Sequence, residues 1–128
     1  MIKKQILKAN RIRHISGGFA FIPHRFLTGG FLAALDQHQL LLYFFLALAS
    51  DRHGLSYYAY DSICTATQLT VEQYIDARGA LIERDLIAFD GVLFQVLELP
   101  AEPPDLASST PPAISFVEKL TRQIGKEI

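Results

Sequence analysis

The chain has 128 residues, which suits one domain or one domain with tails, and half of them are apolar, which excludes global disorder and permits a packed core. The formal net charge is −1 and the pI about 6.4, whereas a dedicated nucleic-acid-binding domain is usually more basic. The single cysteine, Cys64, excludes an intrachain disulfide and suits a reducing compartment.

The charge is unevenly distributed along the chain. Residues 1–14 carry five basic side chains and no acid, net +5, whereas residues 60–90 carry six acids against two arginines, net −4. This asymmetry predicts a basic arm, residues 1–18, on a near-neutral body, residues 19–99. The arm has no apolar run with a cleavage site, and the longest apolar run, Leu40–Ala49, is about half of a membrane span. We therefore expect a cytoplasmic protein without membrane association.

The body begins with short apolar segments. Phe19–Ile22 is a strand candidate that Pro23 closes. Residues 24–35 predict a broken helix, because Gly29 and Gly30 interrupt the apolar pattern.

Asp36 begins the clearest helix, with Gln39 three residues later as its capping-box partner. The run that follows, Leu40–Ala49, is apolar all round, which predicts a helix buried on most sides. The core positions predicted on this helix and beyond it are Leu41, Phe44, Phe45, Leu48, Leu81 and Leu86.

Two further helices are predicted after a short strand at Leu55–Ala59. The first spans Ser62–Thr67, capped by Asp61. The second spans 71–84, where Thr70 and Gln73 form another capping box. Its predicted inward face holds Tyr74, Ala77, Arg78 and Leu81, and Asp85 ends it in the left-handed conformation.

The next predicted element is a hairpin. Its strands are 86–89 and 92–99, joined by Asp90-Gly91, the strongest two-residue turn signal in the chain. Residues 100–112 hold five of the six prolines and predict an extended linker.

Residues 113–128 predict a C-terminal amphipathic helix that opens with a capping box, Ser115 and Glu118. Its apolar stripe, formed by Val117, Leu120 and Ile124, requires a cover, which its own body or a partner can supply. We expect a homodimer as the commonest symmetric assembly, and a protein partner through this helix is the alternative.

The element order from residue 36 to 99 is helix, strand, helix, tight turn, helix and hairpin, which is the order of a winged helix-turn-helix. The stretch Leu81–Ile87 resembles the Leu-x-x-x-Gly-Leu-Ile pattern that ends the recognition helix of many bacterial winged-helix proteins, with Asp85 in place of the glycine. The segments 54–63 and 69–87 are similar to small bacterial helix-turn-helix proteins related to replication initiators and mobile elements. The fold class that follows is α+β, mainly α, with a two-stranded wing.

This resemblance implies a double-stranded DNA partner and no catalysis. The candidate contacts on the third helix are Thr70, Glu72, Gln73 and Asp76, and those of the arm are Lys3, Lys4, Lys8, Arg11 and Arg13. Acids on the third helix repel phosphates, so the alternative is a winged-helix module that binds protein in a nucleoprotein complex.

No enzyme, metal or cofactor signal accompanies these patterns. The four histidines lack metal-ligand spacing, and the glycine pairs lack the lysine, serine or threonine of a phosphate loop. Tyr57, Tyr58 and Tyr60 are able to stack on bases, although packing against helices is the commoner outcome.

Overall fold

The computed structural model describes residues 2–102, so the predicted helix at 113–128 and most of the linker lie outside the described residues. The described part of the chain is α+β and mainly helical, with a small antiparallel sheet. The elements in chain order are a 3-10 turn at Ala9–Arg11, α1 Arg25–Thr28, α2 Phe31–Ala34, α3 Gln37–Ala49, β1 Leu55–Ser56, α4 Tyr60–Thr67, α5 Val71–Glu83, β2 Ile87–Phe89 and β3 Phe94–Val96. Within residues 2–102, no helix has the length and apolar character that crossing a bilayer requires.

The N-terminal part of the body partly follows its prediction. The broken helix is confirmed as α1 and α2, which are separated where Gly30 takes a φ of 86°. The strand predicted at Phe19–Ile22 is wrong, since these residues pair with no strand of the sheet. A short apolar run forms a strand only where a sheet edge accepts its backbone hydrogen bonds, and this run has no such edge.

The capping box of α3 is confirmed, because the Gln39 N–H donates to Asp36 Oδ1 at 2.8 Å and the Asp36 N–H donates to Gln39 Oε1 at 3.3 Å. The burial predicted for α3 is wrong at three of its four positions: Leu41 is 44%, Phe44 54% and Leu48 63% exposed. Phe45 is half-buried. The buried residues of α3 are instead Leu42, Tyr43, Leu46 and Ala47. They occupy one side of the helix, because α4, α5, β1 and β3 all pack against that side.

The two predicted helices with a tight connection are present as α4 and α5, but α4 begins earlier than predicted. α4 begins at Tyr60, so Asp61 lies inside the first turn and is not the N-cap that the sequence predicts. The connection turns at Gln68, which takes a φ of 61°, and it buries Leu69. The capping box of Thr70 and Gln73 at the start of α5 is confirmed.

The hairpin after α5 is confirmed, but its loop is longer than predicted. Asp85 ends α5 with a φ of 61°, as expected. β2 and β3 are antiparallel with Phe89 opposite Phe94, so four residues and not two connect them. In this register the rings of Phe89 and Phe94 stack, with centroids 4.2 Å apart. β1 pairs with the other edge of β3, which makes a three-stranded sheet of order β1-β3-β2.

The core lies where α3, α4, α5 and the sheet meet. Leu81 and Leu86 are fully buried, which confirms both predictions. The other large side chains that are fully buried there are Leu42, Tyr43, Leu46, Ile63, Ile87 and Phe94. At about 1.5–3 kcal/mol for each buried large apolar side chain, this cluster supplies the main stabilisation that holds α5 and the hairpin in place.

Candidate nucleic-acid interface

α5 is the third helix of the predicted helix-turn-helix, and its outer side carries the candidate DNA contacts of that helix. Glu72, Asp76 and Glu83 are exposed, and Thr70 is exposed at the N-cap. Gln73 is half-buried, and its Oε1 accepts from the Thr70 N–H at 3.0 Å. Bidentate recognition of adenine needs the oxygen and the nitrogen of one amide. In the capping-box conformation, the Gln73 oxygen already accepts one hydrogen bond, so the amide is held by the helix start and offers a ligand its N–H groups and one remaining lone pair.

A cleft lies between α5, the hairpin and the segment that joins β1 to α4. It has a volume of about 360 Å³. We call it the tyrosine cleft, and its large lining side chains are Tyr57, Tyr58, Tyr60, Tyr74, Arg78 and Phe89.

Arg78 forms one wall of the tyrosine cleft. Its guanidinium carbon lies 5.2 Å from the ring centroid of Tyr74 and 4.9 Å from that of Phe89. Its Nη1 donates to the Tyr74 hydroxyl at 3.4 Å. A guanidinium stacked on rings keeps its charge and most of its N–H donors available to a further acceptor. Arg78 therefore places a positive charge in the cleft.

Three tyrosines of the cleft present their rings to solvent. Tyr57 is 71%, Tyr58 46% and Tyr60 57% exposed, so the packing outcome that the sequence favours does not hold for them as a group. Tyr58 alone shows a ring contact, edge-on to Phe45 with centroids 5.4 Å apart. Phenol groups in this setting donate hydrogen bonds to phosphates or stack on bases.

Sequence reasoning placed Arg78 on the inward face of α5 but missed it as a site residue. The signal was present: an arginine in line with Tyr74, Ala77 and Leu81 needs an aromatic or acidic partner where it is desolvated. Its second ring partner, Phe89, comes from β2, so only the folded chain brings the three groups together.

The hairpin loop beside the cleft carries no basic side chain. Asp90 Oδ1 accepts from the Val92 N–H at 2.9 Å and from the Leu93 N–H at 2.6 Å. These two hydrogen bonds hold the pKa of Asp90 below its ordinary value. The loop therefore offers a fixed carboxylate and the exposed side chain of Val92, and any attraction for phosphate comes from elsewhere.

The basic arm attaches to the body at a different place. Its five basic residues are exposed, and the 3-10 turn at Ala9–Arg11 is its only regular element. The chain enters the body at Phe21 and Pro23, which line a second cleft with the end of α3 and with β3. The structure thus brings Thr70, Glu72, Gln73 and Asp76 together on α5 but does not bring the attachment point of the arm to the tyrosine cleft.

Within residues 2–102, no group of three or more histidine, cysteine or acidic side chains is arranged to hold a metal ion. Cys64 is half-buried on α4, with its Sγ 4.0 Å from the carbonyl oxygen of Thr70. Cys64 therefore contacts the connection between α4 and α5.

Comparison of the chain with protein-family models, with curated proteins and with solved structures finds no match.

Proposed function

We propose that this protein is a winged-helix protein that binds duplex DNA through the α4–α5 pair and the adjacent hairpin. The order of α3, β1, α4, α5 and a two-stranded hairpin supports this assignment, because it is the order of a winged helix-turn-helix. In this proposal α5 approaches the groove and the hairpin is the wing.

The tyrosine cleft is the observation on which the proposal depends. It opens between the proposed recognition helix and the proposed wing, where a phosphate backbone runs in this kind of complex. Arg78 supplies a positive charge held by two rings, and Tyr57 and Tyr60 supply exposed hydroxyl donors. Half or more of protein–DNA hydrogen bonds go to phosphate and sugar, and arginine and tyrosine are among their donors.

The acids of α5 limit what the helix does in this complex. Glu72 and Asp76 face solvent near the start of α5, and both repel phosphates. A carboxylate accepts a hydrogen bond from the amino group of cytosine, so their favourable role is on base edges. The long-range attraction then comes from the basic arm, whose positive side chains release counterions when they neutralise phosphates.

The test is a fluorescence anisotropy titration of the full chain against labelled duplex DNA over a series of salt concentrations. Replacing the five basic residues of the arm by glutamine lowers the salt slope by up to about 4–5 units if each contacts one phosphate. Tyr57→Phe and Tyr60→Phe each weaken binding several-fold on every sequence, because each removes one hydrogen bond worth about 0.5–1.5 kcal/mol. Arg52→Gln is the matched control, since Arg52 lines the second cleft and not the tyrosine cleft.

If neither the arm substitutions nor the cleft substitutions change the affinity for duplex DNA, this interface is ruled out. Absence of duplex binding at low salt rules out the proposal as a whole. The second candidate function then applies, a winged-helix module that binds protein.

One observation favours that second candidate. Glu72, Asp76 and Glu83 are exposed at positions i, i+4 and i+11 of α5, which places the three carboxylates in one row along the helix. Such a row suits a basic protein segment. Replacing the three acids by glutamine abolishes binding of a Lys/Arg-rich peptide under this candidate, whereas it strengthens duplex binding under the first.

A further inference from the structure

The solvent side of α3 is an apolar surface, because the helix is apolar all round. Leu41, Phe44 and Leu48 stand at spacings of three and four residues and are about half exposed. We call these three residues the α3 seam. Apolar side chains at this spacing are the pattern with which one helix packs along another.

The α3 seam continues into a groove of about 550 Å³ with almost no polar lining. Leu41 and Phe44 form one wall, and Ile22, Phe26 and Leu32 form the other. A continuous apolar surface of this kind on a monomeric domain usually marks a contact site. The other side of α3 already packs on α5 and the sheet, and residues 2–102 leave the seam exposed, so a cover for it comes from outside the described residues.

The described chain ends beside α1. The Arg25 guanidinium donates from Nη1 to the Leu99 carbonyl oxygen at 3.3 Å and from Nη2 to the Pro100 carbonyl oxygen. Arg25 immediately precedes Phe26, which lines the groove. The chain therefore leaves the body at α1, the helix that also contributes Phe26 to the groove, and 26 residues follow Glu102.

The length and pattern of those residues fit the seam. A proline-rich stretch as long as residues 101–112 can reach up to about 37 Å at roughly 3.1 Å per residue, whereas the 13 residues of α3 extend over only about 20 Å. The stripe of Val117, Leu120 and Ile124 repeats the three-then-four spacing of the seam. Two helices with matching apolar spacing bury these side chains against each other along their length.

We propose that residues 113–128 dock as a helix on the α3 seam of the same chain. The short tether favours this arrangement over docking on a second copy, because a tether long enough to span two sites of one chain raises the effective concentration of the segment at the seam to about the millimolar range. Docking covers both apolar stripes at once. It also turns Lys119, Arg122 and Lys126, which the sequence places opposite the stripe, toward solvent.

Disulfide trapping in the full-length chain tests the docking directly. In a Cys64→Ser background, Phe44→Cys is combined with Leu120→Cys, since a disulfide requires Cα atoms within about 7 Å. The control pair combines Glu72→Cys, exposed on α5, with the same Leu120→Cys. After mild oxidation, non-reducing electrophoresis and peptide mapping by mass spectrometry measure the linked fraction.

We expect the Phe44–Leu120 link to form within the monomer at least about tenfold faster than the control link, as a preformed contact requires. Equal rates for the two pairs overturn the docking. A link that forms only between two chains overturns the intramolecular form and assigns the seam to the segment of a second copy.

A second measurement avoids new cysteines. Leu120→Asp releases the segment and exposes the seam, so fluorescence of an apolar dye such as 1-anilinonaphthalene-8-sulfonate rises several-fold over the unmodified chain. Lys119→Asp adds the same carboxylate on the opposite side of the predicted helix and leaves the fluorescence unchanged. An unchanged signal for Leu120→Asp shows that the segment does not cover the seam.

Discussion

Gly54 allows the most sensitive test of how β1 is placed against β3. It lies between α3 and β1 with a φ of +83°, and its carbonyl oxygen accepts from the Val96 N–H at 2.8 Å. A Cβ at this position would lie 2.4 Å from the Val96 carbonyl oxygen, which is backbone and unable to rotate away. Gly54→Ala therefore incurs a backbone penalty and a steric overlap together.

The magnitude follows from these two contributions. A left-handed backbone costs an alanine about 1–2 kcal/mol, and relief of the overlap by separating β1 from β3 costs about 1–3 kcal/mol more. We expect Gly54→Ala to lower the free energy of unfolding by roughly 2–5 kcal/mol in total. Urea denaturation followed by circular dichroism measures this loss, because the chain has no tryptophan to report by fluorescence.

Gly91 provides the matched control. It also has a positive φ, +102°, but a Cβ there meets nothing within 4 Å. Gly91→Ala should therefore lose only the backbone contribution, about 1–2 kcal/mol. If Gly54→Ala costs no more than Gly91→Ala, the close approach of Gly54 to β3 is refuted.

Three further substitutions test the core, α5 and the hairpin loop. Leu81→Ala removes a side chain that is 0% exposed and should cost about 2–5 kcal/mol in the same urea titration, and a loss below about 1 kcal/mol would contradict its place in the core. Gly79→Ala, in open space inside α5, should stabilise the protein by roughly 0.5–1 kcal/mol, and a destabilisation would argue against a regular helix there. Asp90→Ala removes the acceptor of two loop N–H groups and should lower the melting temperature at neutral pH. Folding lowers the pKa of Asp90 from 3.8, so the stabilisation by its carboxylate is complete above that pH and disappears as the pH falls through the lower folded pKa. The difference in melting temperature between Asp90→Ala and the unmodified chain should therefore shrink in acid. A difference that stays constant with pH would refute the role of the carboxylate.

The features that sequence reasoning predicted correctly are local ones. The two capping boxes, Asp36 with Gln39 and Thr70 with Gln73, each form between residues three apart and need no distant partner. The left-handed end of α5 at Asp85 is likewise decided by its own residue and its neighbours. Such features are readable because the residues that make them are adjacent in the chain.

The features that it predicted wrongly depend on distant contacts. α3 is apolar all round, so its sequence gives no preferred face, and only the packing of α5 and the sheet decides that Leu42 is buried and Phe44 is not. Asp90-Gly91 predicts a two-residue turn, but β3 also pairs with the distant strand β1, and its register with β2 places Phe89 opposite Phe94 with four residues between the strands. The turn preference of a dipeptide carries no information on that pairing.

The candidate site divides in the same way. The outer acids of α5 were predicted from helical periodicity, and Glu72 and Asp76 are exposed as expected. The tyrosine cleft was not predicted, because it joins Tyr57 before α4, Arg78 on α5 and Phe89 on β2. Periodicity within one element carries no information on which elements meet.

The acidic row of α5 and the α3 seam lie on the outer sides of two helices that share one core. The buried side of α3, with Leu42 and Leu46, faces α5, and the buried side of α5, with Tyr74 and Leu81, faces the same core. The α3 seam and the acidic row of α5 therefore point away from each other, and a duplex on α5 leaves room for residues 113–128 on α3. Energetic coupling between two such sites requires an element with two arrangements that both ligands bias, and the core between these helices is closely packed. Release of the C-terminal segment should thus leave duplex affinity unchanged, so that failure of either proposal leaves the other open to its own test.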